Sequence, residues 1–336
     1  MINMNVSPEL IPGAHNAIHT CLRLRPEERI TLITDRETLE IAAALVSEIE
    51  TVGSPWSLFV LEDFAERPLA DGMPQPILED LDRSQVSIFA AQAQRGELRS
   101  RIEMTDVVNR RRIRHGHMVN IDRRIMTEGM CADFEEIDRL SSRLIAKARA
   151  AKTVRVTSRA GTDLVADLAP HLKWVKTSGI ISSDKWGNLP GGEIFTSPWN
   201  VNGRFVVDGV VGDYLCRKFG DLRDTPLEID IRDARIAALA CANGELLEDF
   251  RRYTSTDANS DRVGEFAIGT NIAIRDVCGN ILQDEKIPGV HIAFGHPYAE
   301  HTGADWLSTT HIDCVGRDFS IWMDGEEVMH EGEFVI

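Results

Sequence analysis

The sequence predicts an N-terminal α/β domain built on a parallel sheet, over residues 1–150, followed by an α+β domain over residues 151–336. Three observations carry this. Strand and helix signals alternate through the first third, as they do when helices cross over between parallel strands. Beyond a helix ending near residue 150 the pattern changes to paired strands around tight turns. The 336 residues, 43% of them hydrophobic, suffice for two separate cores.

Residues 29–34 (RITLIT) read as a short buried strand, and 37–49 follow with Leu39, Ala42, Ala43, Val46 and Ile49 at helical spacing. Residues 56–61 form the next strand, 76–81 a helix, 86–90 (VSIFA) a third strand and 117–121 (HMVNI) a fourth. The turn after the first strand, Asp35-Arg36-Glu37-Thr38, lacks the glycines that let a pyrophosphate approach a helix N-terminus, which argues against a dinucleotide site. Over 133–150, Phe134, Ile137, Leu140, Leu144, Ile145 and Ala148 share one helix face, with Asp133 and Glu136 spaced as a capping pair. That helix leads out of the first domain. Hairpins are then predicted from 153–158 with 163–167, from 227–231 with 235–241, and from 320–323 running into Asp324-Gly325. No linker, repeat or low-complexity tract marks the boundary, so it rests on the change of pattern alone.

Lys and Arg number 37 against 53 Asp and Glu, a formal net charge of −16. Such an acidic excess opposes any sequence-independent hold on nucleic-acid phosphates or anionic lipid, so neither nucleic acid nor a membrane is expected as partner. The one basic cluster, Arg110, Arg111, Arg112 and Arg114, lies in a polar stretch and reads as solvated or salt-bridged. No window approaches the ~18 apolar residues of a membrane span, and the N-terminus lacks a basic segment leading into an apolar one. Cys21, Cys131, Cys216, Cys241, Cys278 and Cys314 are scattered without a C-x-x-C pair, which excludes a zinc ribbon and favours reduced thiols in the cytoplasm.

Chemistry concentrates in the C-terminal half. His15, His19, His171, His296, His301 and His330 carry no ligand spacing, and His115-Gly116-His117 is a weak H-x-H. Gly191-Gly192 before Glu193 would let backbone come close to a metal or substrate without a Cβ in the way. Gly264-Glu265 opens an apolar run, and a carboxylate entering a buried strand needs a cation or several donors to offset its desolvation. His291 lies inside the apolar segment 290–295. In His311-Ile312-Asp313 an imidazole and a carboxylate two residues apart on a strand project to one face, as two ligands of one ion do. Together Glu193, Glu265, His291, His311 and Asp313 make a set of three carboxylates and two imidazoles that suits Zn, Co, Mn or Fe(II), and the α+β domain is therefore expected to be metal-binding.

The run Asn188-Leu189-Pro190-Gly191-Gly192-Glu193-Ile194-Phe195-Thr196, then Gly264-Glu265, Asp284-Glu285, His291-Ile292-Ala293-Phe294-Gly295, Tyr298, and Ser308 through His311-Ile312-Asp313, resembles the metallo-aminopeptidase family of the aminopeptidase T, aminopeptidase S and PepS type. The resemblance implies an α/β domain before a metal-binding one, a homodimer and a pair of divalent ions. It implies that Glu193, Glu265, His291, His311 and Asp313 are the ligands and that Tyr298 stands at the metals. A related group, the 2,5-dihydroxypyridine dioxygenases, is similar in scaffold but holds one iron with two histidines and an aspartate. Their second histidine and aspartate correspond to His311 and Asp313, their first histidine falls at Glu265, and they lack an acid at Glu193.

The function expected is a cytoplasmic metal-dependent hydrolase that cuts an amide or peptide bond of a small molecule or short peptide. Glu285 is the expected base, since a carboxylate beside an activated water can take its proton and return it to the leaving amine. Tyr298 is the expected donor to the developing oxyanion. The alternative is a mononuclear Fe(II) dioxygenase that opens a hydroxylated pyridine or similar aromatic, with His291, His311 and Asp313 as its two-histidine, one-carboxylate set.

Overall fold

The structure, a computed structural model, describes residues 6–336. The described residues fall into two compact units, one running up to Glu135 with Gly179–Gly191, the other Glu136–Ser178 with Gly192–Ile336. Most of the helix Phe134–Ala150 thus belongs to the second unit, because Leu144, Ile145 and Ala148 join the same apolar cluster as Val154, Phe205 and Phe266.

The first unit carries a parallel sheet in the order Trp56–Val60, Ile30–Thr34, Val86–Ala90, Arg114–His117 and Gly187–Asn188. Its fourth strand begins three residues earlier than the sequence suggests. Arg114 through His117 pair with Val86 through Phe89, and the chain turns away at Met118–Ile121. The helix Leu98–Arg111 has no counterpart in the sequence reading, since only Ser100, Met104, Val107 and Val108 are buried along it. Arg110 and Arg111 reach Asp82, Arg112 reaches Asp184 and Arg114 reaches Glu28, so the basic cluster is spent on ion pairs within the unit. His115 and His117 are buried as well. Their contacts are Ser87 Oγ to His115 Nδ1 at 2.8 Å and His115 Nε2 to His117 Nδ1 at 3.2 Å, and burial pushes the His115 imidazole down to about 3.

Chain order reverses between the strands Ile30–Thr34 and Val86–Ala90, the place where open α/β sheets bind ligands beyond their strand ends. Here Arg67 fills that place. Its guanidinium, 4% exposed, contacts Asp35 Oδ2 at 3.2 Å, the Gln92 carbonyl at 2.6 Å and Glu97 Oε2 at 2.5 Å. Arg67→Met would leave Asp35 and Glu97 buried without their cation, a change that typically costs about 3–5 kcal/mol. Chemical denaturation should show that loss as a lower midpoint, and a loss below about 1 kcal/mol would mean that the network is hydrated in solution.

The second unit holds two antiparallel sheets. An eight-stranded sheet contains the predicted hairpins: Thr153–Ser158 with Asp163–Asp167, Leu227–Arg232 with Arg235–Ala240, and Phe319–Met323 with Glu326–His330 across Asp324-Gly325, both at positive φ. A five-stranded sheet runs His311–Val315, Gly289–Gly295, Val263–Gly269, Glu193–Thr196 and Val175–Thr177. One face of it supplies Ile194, Phe266, Ile268, Ile292, Phe294, Ile312 and Cys314 to a core shared with Val154, Val156, Leu164 and Phe205 of the larger sheet. Alternation then sends their neighbours to the other face. No described helix is long and apolar enough to cross a membrane.

Candidate metal centre

Register assembles the site. Ala293 stands opposite Glu265 on one side and Asp313 on the other, so the two carboxylates share a row across three strands. In adjacent rows His291 lies opposite Ala267, Gly295 opposite His311, and Gly269 opposite Glu193. All five predicted ligands therefore project from one face. Between them stand Ala267, Ala293, Gly269 and Gly295, which leave the volume open, and Phe195 and Val315 lie on the same face in the row of Ala267 and His291. A one-residue slip of any strand would turn its ligand into the core, which couples the site to the packing of the opposite face. At Gly264 a Cβ would stand 2.1 Å from the Gly295 carbonyl oxygen, so the bulge that precedes Glu265 admits only glycine.

The side chains converge in two triads that share Glu265. His291 Nε2 is 3.7 Å from Glu193 Oε2 and 3.6 Å from Glu265 Oε1; His311 Nε2 is 3.5 Å from Glu265 Oε2 and 3.2 Å from Asp313 Oδ1. The contact of His311 with Asp313 is a hydrogen bond, and the other three separations are longer than most. They match the edges of a coordination tetrahedron, which for bonds of ~2.0–2.1 Å are about 3.3–3.4 Å. His311 donates its Nδ1–H to the His296 carbonyl at 3.0 Å, which orients the ring so that Nε2 faces Glu265 and Asp313, the arrangement usual in metal-ligating histidines. The buried Nδ1 of His291 has no hydrogen-bond partner among the described residues. A mixed oxygen and nitrogen set of this kind fits a divalent ion of the Zn, Co, Mn or Fe(II) class.

Electrostatics point the same way. Burial opposes a charged His291, yet Glu265 and Glu193 outweigh it and push the imidazole up to about 9. His311 is raised to about 10, burial again opposing and Asp313 and Glu265 prevailing. Asp313 is pulled down to about 2, against its burial, chiefly by His311. So many buried carboxylates hold protons on both imidazoles, positions a cation would take over.

Glu285 and Tyr298 stand in the same cluster. Glu285 offers a carboxylate oxygen to the group formed with His291 and Asp313, while Tyr298 packs its ring 4.9 Å from that of His311 and 5.8 Å from Phe195. Burial, with Asp313 and Glu193 adding to it, pushes the Glu285 carboxyl up to about 8 against the pull of Lys286. Burial first, then the surrounding acids, raise the Tyr298 phenol well above its usual value, so it keeps its proton.

Two features of the site escape the sequence. Lys286, in a stretch that resembles an exposed turn, is 1% exposed and places Nζ 2.7 Å from Glu193 Oε1 and 2.5 Å from Glu285 Oε1. Thr177 donates to Glu193 Oε1 at 2.8 Å. Gly192 has a different role from the one expected: a Cβ there, at a φ of +132°, would stand 2.7 Å from Asn271 Cβ, so the close approach is to the chain itself.

The family model of the thermophilic metalloproteases, M29, matches residues 122–323, which include every side chain of the cluster. The chain belongs to the M29 family. It is accordingly a metallohydrolase of aminopeptidase-like type, for which the family implies a divalent metal. Among solved structures, this M29 chain is similar to wild-type AmpT from Thermus thermophilus, with a TM-score of 0.73 at 19% identity over 98% of this chain and 99% of that one. It is also similar to 2,5-dihydroxypyridine dioxygenase from Pseudomonas putida KT2440, with a TM-score of 0.69 at 15% identity over 98% of each chain. At these identities the likeness is one of fold. No curated protein matches.

Proposed function

We propose that this M29 chain hydrolyses an amide or peptide bond of a small molecule or short peptide, and that the two triads sharing Glu265 would each hold a divalent ion. The observation that carries the reading is that the two oxygens of Glu265 face different histidines, each with its own further acid. Charge supports the count of two. With Lys286 set against Glu285, the three remaining carboxylates leave two divalent ions one positive charge with which to attract a carbonyl oxygen. Bound there, such ions lower the pKa of a ligated water toward neutrality and polarise the scissile carbonyl.

The chain's own residues supply the rest. Glu285, whose carboxyl is pushed up to about 8 in the absence of ions, would be ionised by cations held beside it and would then take the proton of the attacking water and return it to the leaving amine. Lys286 holds that carboxylate by its Oε1 and leaves the other oxygen free for the transfer. Tyr298, protonated, donates to the oxygen on which negative charge develops. Anaerobic assay of a metal-loaded preparation against aminoacyl amides tests the reaction class: turnover should be unaffected by removing oxygen, whereas consumption of oxygen with a hydroxylated pyridine would favour ring cleavage instead.

Metal binding should depend on pH, because ligation requires neutral imidazoles. The ordinary imidazole value of 6.5 is raised to about 9 at His291 and about 10 at His311. In the metal-free chain these charged pairs therefore contribute stability fully below pH 6.5 and lose it as pH rises through 9 to 10. The ions show the opposite trend: with one proton displaced per ion, each apparent association constant should rise about tenfold per pH unit between pH 6 and 8. Calorimetry in buffers of different ionisation enthalpy would count the released protons, and a pH-independent affinity would contradict ligation by these histidines.

A further inference from the structure

We propose that His15, His19 and Glu48 form a second divalent-metal site, within the first unit, that takes an ion of the Zn²⁺ class through two imidazoles and one carboxylate. The helix Ile11–His15 runs into a π-helical turn over Asn16–Cys21, a rare conformation that is enriched at functional sites. Here it stacks the His15 and His19 rings with centroids 4.2 Å apart and planes at 22°. Both rings meet one atom. His15 Nδ1 lies 2.9 Å and His19 Nε2 3.1 Å from the same oxygen, Oε2 of Glu48, on the helix Leu39–Val52.

The chemistry is that of an ion site with open positions. All three donor atoms lie within 4.8 Å of one another, and ligands of a single ion with ~2.0–2.1 Å bonds stand about 3.3 Å apart, a spacing that small side-chain rotations reach. The carboxylate is rooted in the interior, its side chain 10% exposed, while those of His15 and His19 are 56% and 32% exposed. Entry from solvent is open, and water can complete the coordination shell as it does in three-ligand zinc sites. Without an ion the Glu48 oxygen accepts from both rings; with one, both rings give up those contacts to ligate, and the ion ties the π-helical turn to the helix Leu39–Val52. The site has no overlap with the proposed catalytic ligands, so the two can be tested apart.

The probe is Zn²⁺ alone, added to a chain in which Glu265→Gln and His291→Ala together break every ligand group of the catalytic cluster. Equilibrium dialysis should find one tightly held ion per chain, lost when His19→Ala or His15→Ala is added. Thermal unfolding of the double variant should shift upward with Zn²⁺, and that shift should vanish in the His19→Ala background. Failure of the double variant to bind, binding only at millimolar Zn²⁺, or binding that survives both histidine substitutions would overturn the proposal. If the wild type and the double variant bind equal amounts, the catalytic metal centre is at fault and the His15–His19–Glu48 site stands.

Discussion

Glu265→Gln is expected to strip metal from one triad, weaken its hold in the other and reduce turnover to background. The carboxylate presents Oε1 to His291 at 3.6 Å and Oε2 to His311 at 3.5 Å, so it is the one side chain common to both halves of the cluster. An amide of the same shape keeps one oxygen and replaces the other by an NH₂ group, which has no lone pair to offer an ion. One triad thereby loses a ligand outright, and the site as a whole loses a negative charge. His311→Ala removes a donor from only one triad and should leave the Glu193–Glu265–His291 group able to hold an ion. Elemental analysis of the two variants beside the wild type separates these cases. Should Glu265→Gln retain the wild-type metal content, Glu265 is not a shared ligand.

Glu285→Gln should lower kcat by about 10²–10⁴-fold, the range in which a general base acts, while metal content and KM stay near wild type. The separation is possible because Glu285 reaches the cluster without belonging to either of the triads that share Glu265. Its Oε1 is held by Lys286, whose buried ammonium would keep Glu193 as partner in the variant, so the fold should survive. A thermal melt checks that point. Full turnover by Glu285→Gln with metal bound would assign the proton transfer to another group.

The elements that position the site were legible because alternation writes itself into a half-buried strand. Ile312 between His311 and Asp313, and Ile292 between His291 and Ala293, announce which side chains share a face. The aspartate-glycine turn of the last long hairpin was readable for the same local reason. Lys286 was not. A lysine after two acids looks solvated, and its burial follows from partners 1 and 93 residues away that no spacing rule joins. The placement of Ala267, Ala293, Gly269 and Gly295 among the ligands is likewise visible only once the register is known. His15 and His19 lie one helical turn apart, yet their carboxylate comes from another helix, 29 residues beyond His19. In the first unit, Leu98–Arg111 shows too few apolar residues to advertise a helix, and the fourth strand begins at Arg114 because it extends the sheet beside Val86, a non-local choice.

Diffraction from crystals of active protein, with data collected on both sides of the absorption edge of its native metal, bears most directly on the metal centre. Two anomalous peaks are predicted, one among Glu193, Glu265 and His291 and the other among Glu265, His311 and Asp313. Active protein with no ion at either position would contradict the account.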